Sequence, residues 1–165
     1  MTVIGTPTTD SATKVMILGA GELCKETAIE AQRLGLEVIA VDRYEDAPAM
    51  QVAHEAHVIQ MSDGAALRAL VDKIKPDIII PGSEHIAADI LIELEEEGIQ
   101  IAPSAEAAKL GTDRAGSRHL VAEELNIPTS PYRIATTMAE YWTNIGEIGF
   151  PCVVKPIKSA SGMGH

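Results

Sequence analysis

Aromatic side chains are nearly missing: one Trp, three Tyr and one Phe stand among 165 residues, so any core has to be assembled from Ala, Val, Ile and Leu. Apolar residues still make up 46% of the chain, a composition that suits a soluble α/β protein. Basic residues are also scarce. Thirteen Lys and Arg face 24 Asp and Glu, a net charge of −11, which reverses the general attraction to nucleic-acid phosphates or an anionic bilayer. Neither is an expected partner, and an anion would need a local basic pocket. Cysteine is limited to Cys24 and Cys152, far apart and without metal-type spacing, so neither thiol is read as catalytic, no metal site is expected, and a reducing cytoplasm is the expected setting. No apolar run reaches the roughly 20 residues of a membrane span. The opening "MTVIGTPTTDSAT" lacks the basic stretch and apolar core of an export signal, so neither export nor membrane insertion is expected.

What is present is an alternation of strand and helix patterns. A polar lead over residues 1–13, expected to be flexible, precedes "KVMILG", a short buried strand closed by Gly19. Leu23, Ala28, Ile29, Ala31 and Leu34 then recur near helical spacing, with Gly35 as the stop. "EVIAVD" predicts a second strand, "HVIQM" a third, residues 63–75 a second helix and "DIIIP" a fourth strand. A third helix is predicted from about Glu84 to Glu97, and "IQIAP" a fifth strand. Such alternation implies a parallel sheet with right-handed crossovers, closing near Pro103. Beyond it, "SAEAAKLGTDRAGSRHLVAEELNIP" predicts one or two helices, "PYRIA" a short strand, residues 136–147 a weaker helix and "PCVVKP" another strand, as at the start of a further domain.

Four stretches carry candidate chemistry. "LGAGELC" sets two glycines between the first strand and first helix, where backbone N–H groups and the helix dipole meet an anion. Asp42, closing the second strand, stands where a ribose-binding acid would, but Cys24 replaces the third glycine of a dinucleotide fingerprint. A plain structural turn, a small-ligand anion site and dinucleotide binding all stay open. Glu22 at the helix mouth would repel pyrophosphate and accept hydrogen bonds from an amine or from sugar hydroxyls. "PGSEHIAAD" follows the fourth strand, where Glu84 and His85 either line a ligand edge or, with Ser83 as cap, simply open a helix. Arg114 and Arg118, four apart, either clamp phosphate or pair with neighbouring glutamates. Lys155 ends a strand and precedes "SASGMG", a small-residue loop able to lay N–H groups over phosphates.

Taken in order, "ILGAGELCKETAIEAQRLGLEVIAVDRYEDAPAMQVAH", "RAGSRHLVAEELNIPTSPY" and "GFPCVVKPIKSASGMG" resemble the ATP-grasp superfamily, and within it the formate-dependent phosphoribosylglycinamide formyltransferases of purine biosynthesis. The resemblance implies a Rossmann-like pre-ATP-grasp substrate domain over residues 14–111, followed over 112–165 by a linker helix and the beginning of an ATP-grasp domain. It implies formation of formyl phosphate from formate and ATP, then attack by the amine of glycinamide ribonucleotide. Glu22, Leu23 and Glu84 would contact that ribonucleotide. Arg114 and Lys155 would contact ATP, with Ser161, Gly162 and Gly164 as the phosphate lid. Family members are homodimers and use magnesium.

Three positions depart from the family pattern. Gly82 stands where a substrate-binding glutamate follows the fourth-strand proline, Met163 where the lid has lysine, and Cys24 at the helix-opening glycine. Because the resemblance spans well under half of such an enzyme, the chain is expected to be an N-terminal portion, with the magnesium ligands in a later part and no activity by itself. A stand-alone Rossmann-like module using Gly19, Gly21 and Asp42, or a non-catalytic interaction remnant, are the competing expectations.

Overall fold

A computed structural model describes residues 5–157. The chain divides into two compact units, Met1–Lys109 and Leu110–His165. The first holds five strands, β1 (Lys14–Leu18), β2 (Glu37–Asp42), β3 (Glu55–Val58), β4 (Ile78–Pro81) and β5 (Gln100–Ile101). They form one sheet in the order β3-β2-β1-β4-β5, and every neighbouring pair is parallel. The alternation of strands and helices in the sequence therefore yields the α/β class and parallel sheet it predicts.

The side-chain alternation of each strand sorts its residues to two faces. Met16, Leu18, Ile39, Val41 and Ile79 point to one face, where Leu67, Leu70, Val71 and Ile74 of α2 (Gly64–Ile74) and Leu91 and Leu94 of α3 (Ala88–Glu96) cover them. Val15, Ile17, Val38 and Ala40 point to the other, against Cys24, Ala28 and Ala31 of α1 (Glu22–Arg33). The side chains that α1 turns to its face are small, Cys24, Ala28 and Ala31, where α2 and α3 present Leu, Val and Ile to theirs. Strand β2 is buried at all six positions, as a strand covered on both faces must be.

Local signals explain the helix ends. Asp63 caps α2 by accepting from the amides of Ala65 and Ala66 at 2.9 and 3.1 Å, and Lys75 closes it in the left-handed conformation with φ of 53°. Glu37 ties down the lead: its buried carboxylate accepts from the Thr8 amide and lies 3.9 Å from Lys14 Nζ, and its own amide donates to Thr13 O at 2.9 Å.

Two boundaries move. The third strand begins at Glu55 and ends at Val58, earlier than "HVIQM", because Ile59 and Met61 turn onto the α2/α3 face instead. The third helix begins at Ala88, four residues later than predicted. Its N-terminal neighbour Ala87 donates its amide to Met61 O at 2.9 Å, so residues 82–87 are held in a non-helical loop.

The second unit holds α5 (Arg114–His119), a five-residue π turn (Leu120–Glu124) and α6 (Met138–Ile148). Between the units' sequences runs α4 (Ala105–Thr112). The strands predicted at "PYRIA" and "PCVVKP" are not formed among the described residues. A strand exists through its ladder, and here side chains take the carbonyls instead: Asn144 Nδ2 donates to Ile134 O at 3.0 Å and Arg114 to Pro156 O at 3.4 Å. Val153 is 75% exposed and Phe150 84%.

Helix α6 starts at a capping box. Glu140 N donates to Thr137 Oγ1 at 3.2 Å, while the Glu140 carboxylate accepts from the amides of Thr136 and Thr137 at 2.8 and 3.1 Å. The amide and then the hydroxyl of Thr136 lead in holding the Glu140 carboxyl below its ordinary range.

Replacement of Ile79, fully buried beneath α3, by Ala is expected to cost about 2–5 kcal/mol in denaturant unfolding. Loss of the Asp63 cap in Asp63→Ala is expected to cost about 1 kcal/mol.

Because the Glu140 carboxyl titrates lower in the folded than in the unfolded chain, its contribution is present above the ordinary carboxylate range and is lost as pH falls through the folded value. Protection factors of the amides at the start of α6, each referred to the intrinsic exchange rate at the same pH, should therefore fall on acidification in the parent protein. In Glu140→Gln the same amides should already be less protected at neutral pH, and their protection should change little further on acidification.

Candidate functional site at the carboxyl edge of the sheet

In the strand order observed, the chain leaves β1 toward β2 on one side and returns to β4 on the other. The loops that follow β1 and β4 therefore diverge, and open α/β sheets bind ligands in the crevice between such loops. Leu18 and Pro81 are register partners at this edge.

The β1 loop is fixed from several sides. Gly19 sits at φ of 98°, and a Cβ there would lie 2.6 Å from Ser83 Cβ, so both conformation and space require glycine. Its amide donates to Val41 O at 2.8 Å. The Ala20 amide donates to Asp42 Oδ2 at 2.6 Å, the Arg43 amide donates to Asp42 Oδ1 at 2.7 Å, and the Ala20 carbonyl accepts from the Ala49 amide at 2.9 Å. Asp42 is buried. Both of its oxygens are thus engaged with backbone amides, and Asp42 clamps the glycine turn instead of offering a free acceptor to a ribose. This is the residue whose role sequence reasoning left open. The clamp is invisible in the motif because its partner Ala20 contributes only a backbone group.

Helix α1 then starts at Gly21 with no side-chain cap. Glu22 and Leu23, its first two residues, face solvent, and Leu23 is 81% exposed. Cys24 turns inward and is buried. Burial pushes its thiol up, the Asp42 carboxylate adds to the effect, and the Gly21 amide opposes it, so the thiol is a neutral packing group.

The β4 loop is pinned by Gly82, whose amide donates to Leu18 O at 2.7 Å. Ser83 does not cap a helix; its hydroxyl accepts from the His85 amide at 3.2 Å. The Glu84 carboxylate lies 3.6 Å from His85 Nε2 and is partly buried. Glu22 and Leu23 at the start of α1 and Glu84 on the β4 loop accordingly stand at one edge of the sheet, where the β1 and β4 loops meet at Gly19 and Ser83. Two carboxylates beside an uncapped helix start make an edge that receives amines and hydroxyls better than a bare pyrophosphate.

Arg114 and Lys155 belong to the second unit. Arg114 opens α5, whose cap Asp113 accepts from the amides of Ala115 and Gly116 at 3.1 and 2.9 Å. Its bond to Pro156 O brings the exposed Lys155 segment beside the start of α5, so these two basic residues are drawn into one neighbourhood. Ser161, Gly162 and Gly164, with Met163, lie outside the described residues. Among the described residues no group of three or more His, Cys, Asp or Glu is arranged to hold a metal ion, so magnesium has no fitting ligand set there.

Comparison with known proteins agrees with this architecture. The family model described as the ribonucleotide synthetase preATP-grasp domain matches residues 12–111. Over all 165 residues the chain is 60% identical to a formate-dependent phosphoribosylglycinamide formyltransferase of Alcanivorax borkumensis and 58% identical to one of Nitratidesulfovibrio vulgaris. It spans 42% of the length of each. Among solved structures, glycinamide-RNase-transformylase T from Mycobacterium tuberculosis superposes with a TM-score of 0.70 at 38% identity, over 72% of this chain and 37% of that one. An N5-carboxyaminoimidazole synthase from Aspergillus clavatus, in complex with ADP and 5-aminoimidazole ribonucleotide, superposes with a TM-score of 0.69 at 28% identity, over 84% and 37%. A fold, a sheet edge and a family match that coincide over the same hundred or so residues leave one conclusion: the chain belongs to the ribonucleotide synthetase preATP-grasp family.

Proposed function

We propose that the chain forms the substrate-facing part of a formate-dependent phosphoribosylglycinamide formyltransferase acting in purine biosynthesis in the cytoplasm. The observation that carries this reading is the 58–60% identity, over every residue of the chain, to formyltransferases of that name. In the reaction a formate oxygen attacks the terminal phosphorus of ATP, giving formyl phosphate and ADP. The amine of glycinamide ribonucleotide then attacks the formyl carbon, loses a proton and expels phosphate.

Within this reading the first unit holds the ribonucleotide. Glu22 accepts a charge-assisted hydrogen bond from the ligand at the mouth of α1, Leu23 supplies an exposed apolar contact beside it, and Glu84 borders the same crevice. The carboxylates also hold the amine end in place and exclude competing anions. Arg114 and Lys155 would meet ATP phosphates, supported by their shared neighbourhood and by the ADP named in the A. clavatus complex. Ser161, Gly162 and Gly164 would complete the phosphate lid. Magnesium would neutralise the triphosphate, and its ligands are expected outside these 165 residues.

A charge-assisted bond of about 1.5–3 kcal/mol at Glu22 corresponds to roughly a 10- to 100-fold loss of glycinamide ribonucleotide affinity in Glu22→Ala. Isothermal titration of parent and variant measures it, and an unchanged affinity would place the pocket elsewhere.

The 165-residue chain alone is expected to release no ADP in a manner that requires both formate and glycinamide ribonucleotide. A coupled ADP assay with each substrate omitted in turn checks this, and turnover dependent on both would show that the remaining length of the relatives is dispensable.

A further inference from the structure

The two loops of the crevice interlock through a second steric pair. A Cβ built on Gly82 would lie 2.3 Å from Cys24 Sγ, a separation real atoms do not adopt, and 3.1 Å from Gly19 O. Gly82 has no need of glycine for backbone conformation, since its φ is not positive. The sulfur is the nearest obstacle, with the backbone oxygens of Gly19 at 3.1 Å and Leu18 at 3.3 Å beside it. Cys24 lies on the buried face of α1, packed with Ala20 and Ala28. Its thiol stays neutral in that setting, so the group acts by volume and not by nucleophilicity.

We propose that Cys24 is a positioning residue whose sulfur, seated against Gly82, sets the spacing between the start of α1, which carries Glu22, and the β4 loop, which carries Glu84. Residues 24 and 82 share a single volume at the carboxyl edge, and a side chain at one is compatible only with its absence at the other. The thiol thereby fixes the width of the crevice that receives the amine-bearing ligand. This rests on the ribonucleotide-binding reading for its functional consequence, while the steric relation stands independently of it.

The experiment is a cycle of Gly82→Ala, Cys24→Gly and the double variant Cys24→Gly/Gly82→Ala, with Cys24→Ser as the volume-conserving control. Backbone amide shifts of residues 19–24 and 82–85 and the affinity for glycinamide ribonucleotide are measured on each. Gly82→Ala should shift the amides of both loops and weaken ligand binding at least tenfold, or fail to fold. The double variant should fold, return those shifts toward the parent pattern and recover affinity to within about threefold. Cys24→Ser should resemble the parent. Unperturbed loop amides in Gly82→Ala, or a double variant no closer to the parent than Gly82→Ala, would overturn the proposal. If the parent itself binds no glycinamide ribonucleotide, the ribonucleotide reading fails, and the amide shifts still decide the steric pair.

Discussion

Strand β1 must be covered on both faces and paired on both edges, and the rest of the first unit follows from that constraint. Val15, Met16, Ile17 and Leu18 are all buried, so neither face of β1 can meet water. Parallel strands require crossovers, and helices on both faces supply them: α1 over Val15, Ile17 and Val38, α2 and α3 over Met16, Leu18 and Ile39. Placing β2 on one edge of β1 and β4 on the other makes the carboxyl end of β1 the point where the chain changes direction. The candidate site is located there by topology before any side chain is considered.

At that point the backbone does most of the holding. The turn after β1 is bonded to Val41, Asp42 and Ala49, and the loop after β4 is bonded to Leu18. Glycine at positions 19 and 82 lets the two loops come into contact, and the side chains facing solvent there include Glu22, Leu23, His85 and, in part, Glu84. The net negative charge of the chain is repeated locally at this edge by Glu22 and Glu84, while Arg114 and Lys155 belong to the other unit. Under the proposed function the carboxylates would meet an amine and the basic residues phosphate.

The second unit obeys local rules more than long-range ones. The Asp113 cap of α5 and the Thr137–Glu140 capping box of α6 are readable three residues at a time. The segments "PYRIA" and "PCVVKP" carry strand composition, yet composition expresses only a preference for a pleated, half-buried surface. Asn144, Arg133 and Arg114 bind these segments through side chains, with Arg133 Nε 2.9 Å from Glu147, and no ladder forms among the described residues.

The α/β class, the five strands of the parallel unit, the helix stop at Gly35 and the residue types at the sheet edge were all legible in the chain. Each of these depends on periodicity or on the conformational limits of one residue, which are properties of neighbours along the chain. Packing across the fold set the rest: Asp42 is engaged by the amides of Ala20 and Arg43, the segment after β4 stays unwound until Ala88, and Cys24 and Gly82 compete for one volume. These are relations between residues separated by as many as 58 positions, brought within bonding or contact distance by strand pairing, and no local pattern in the chain encodes a distance of that kind.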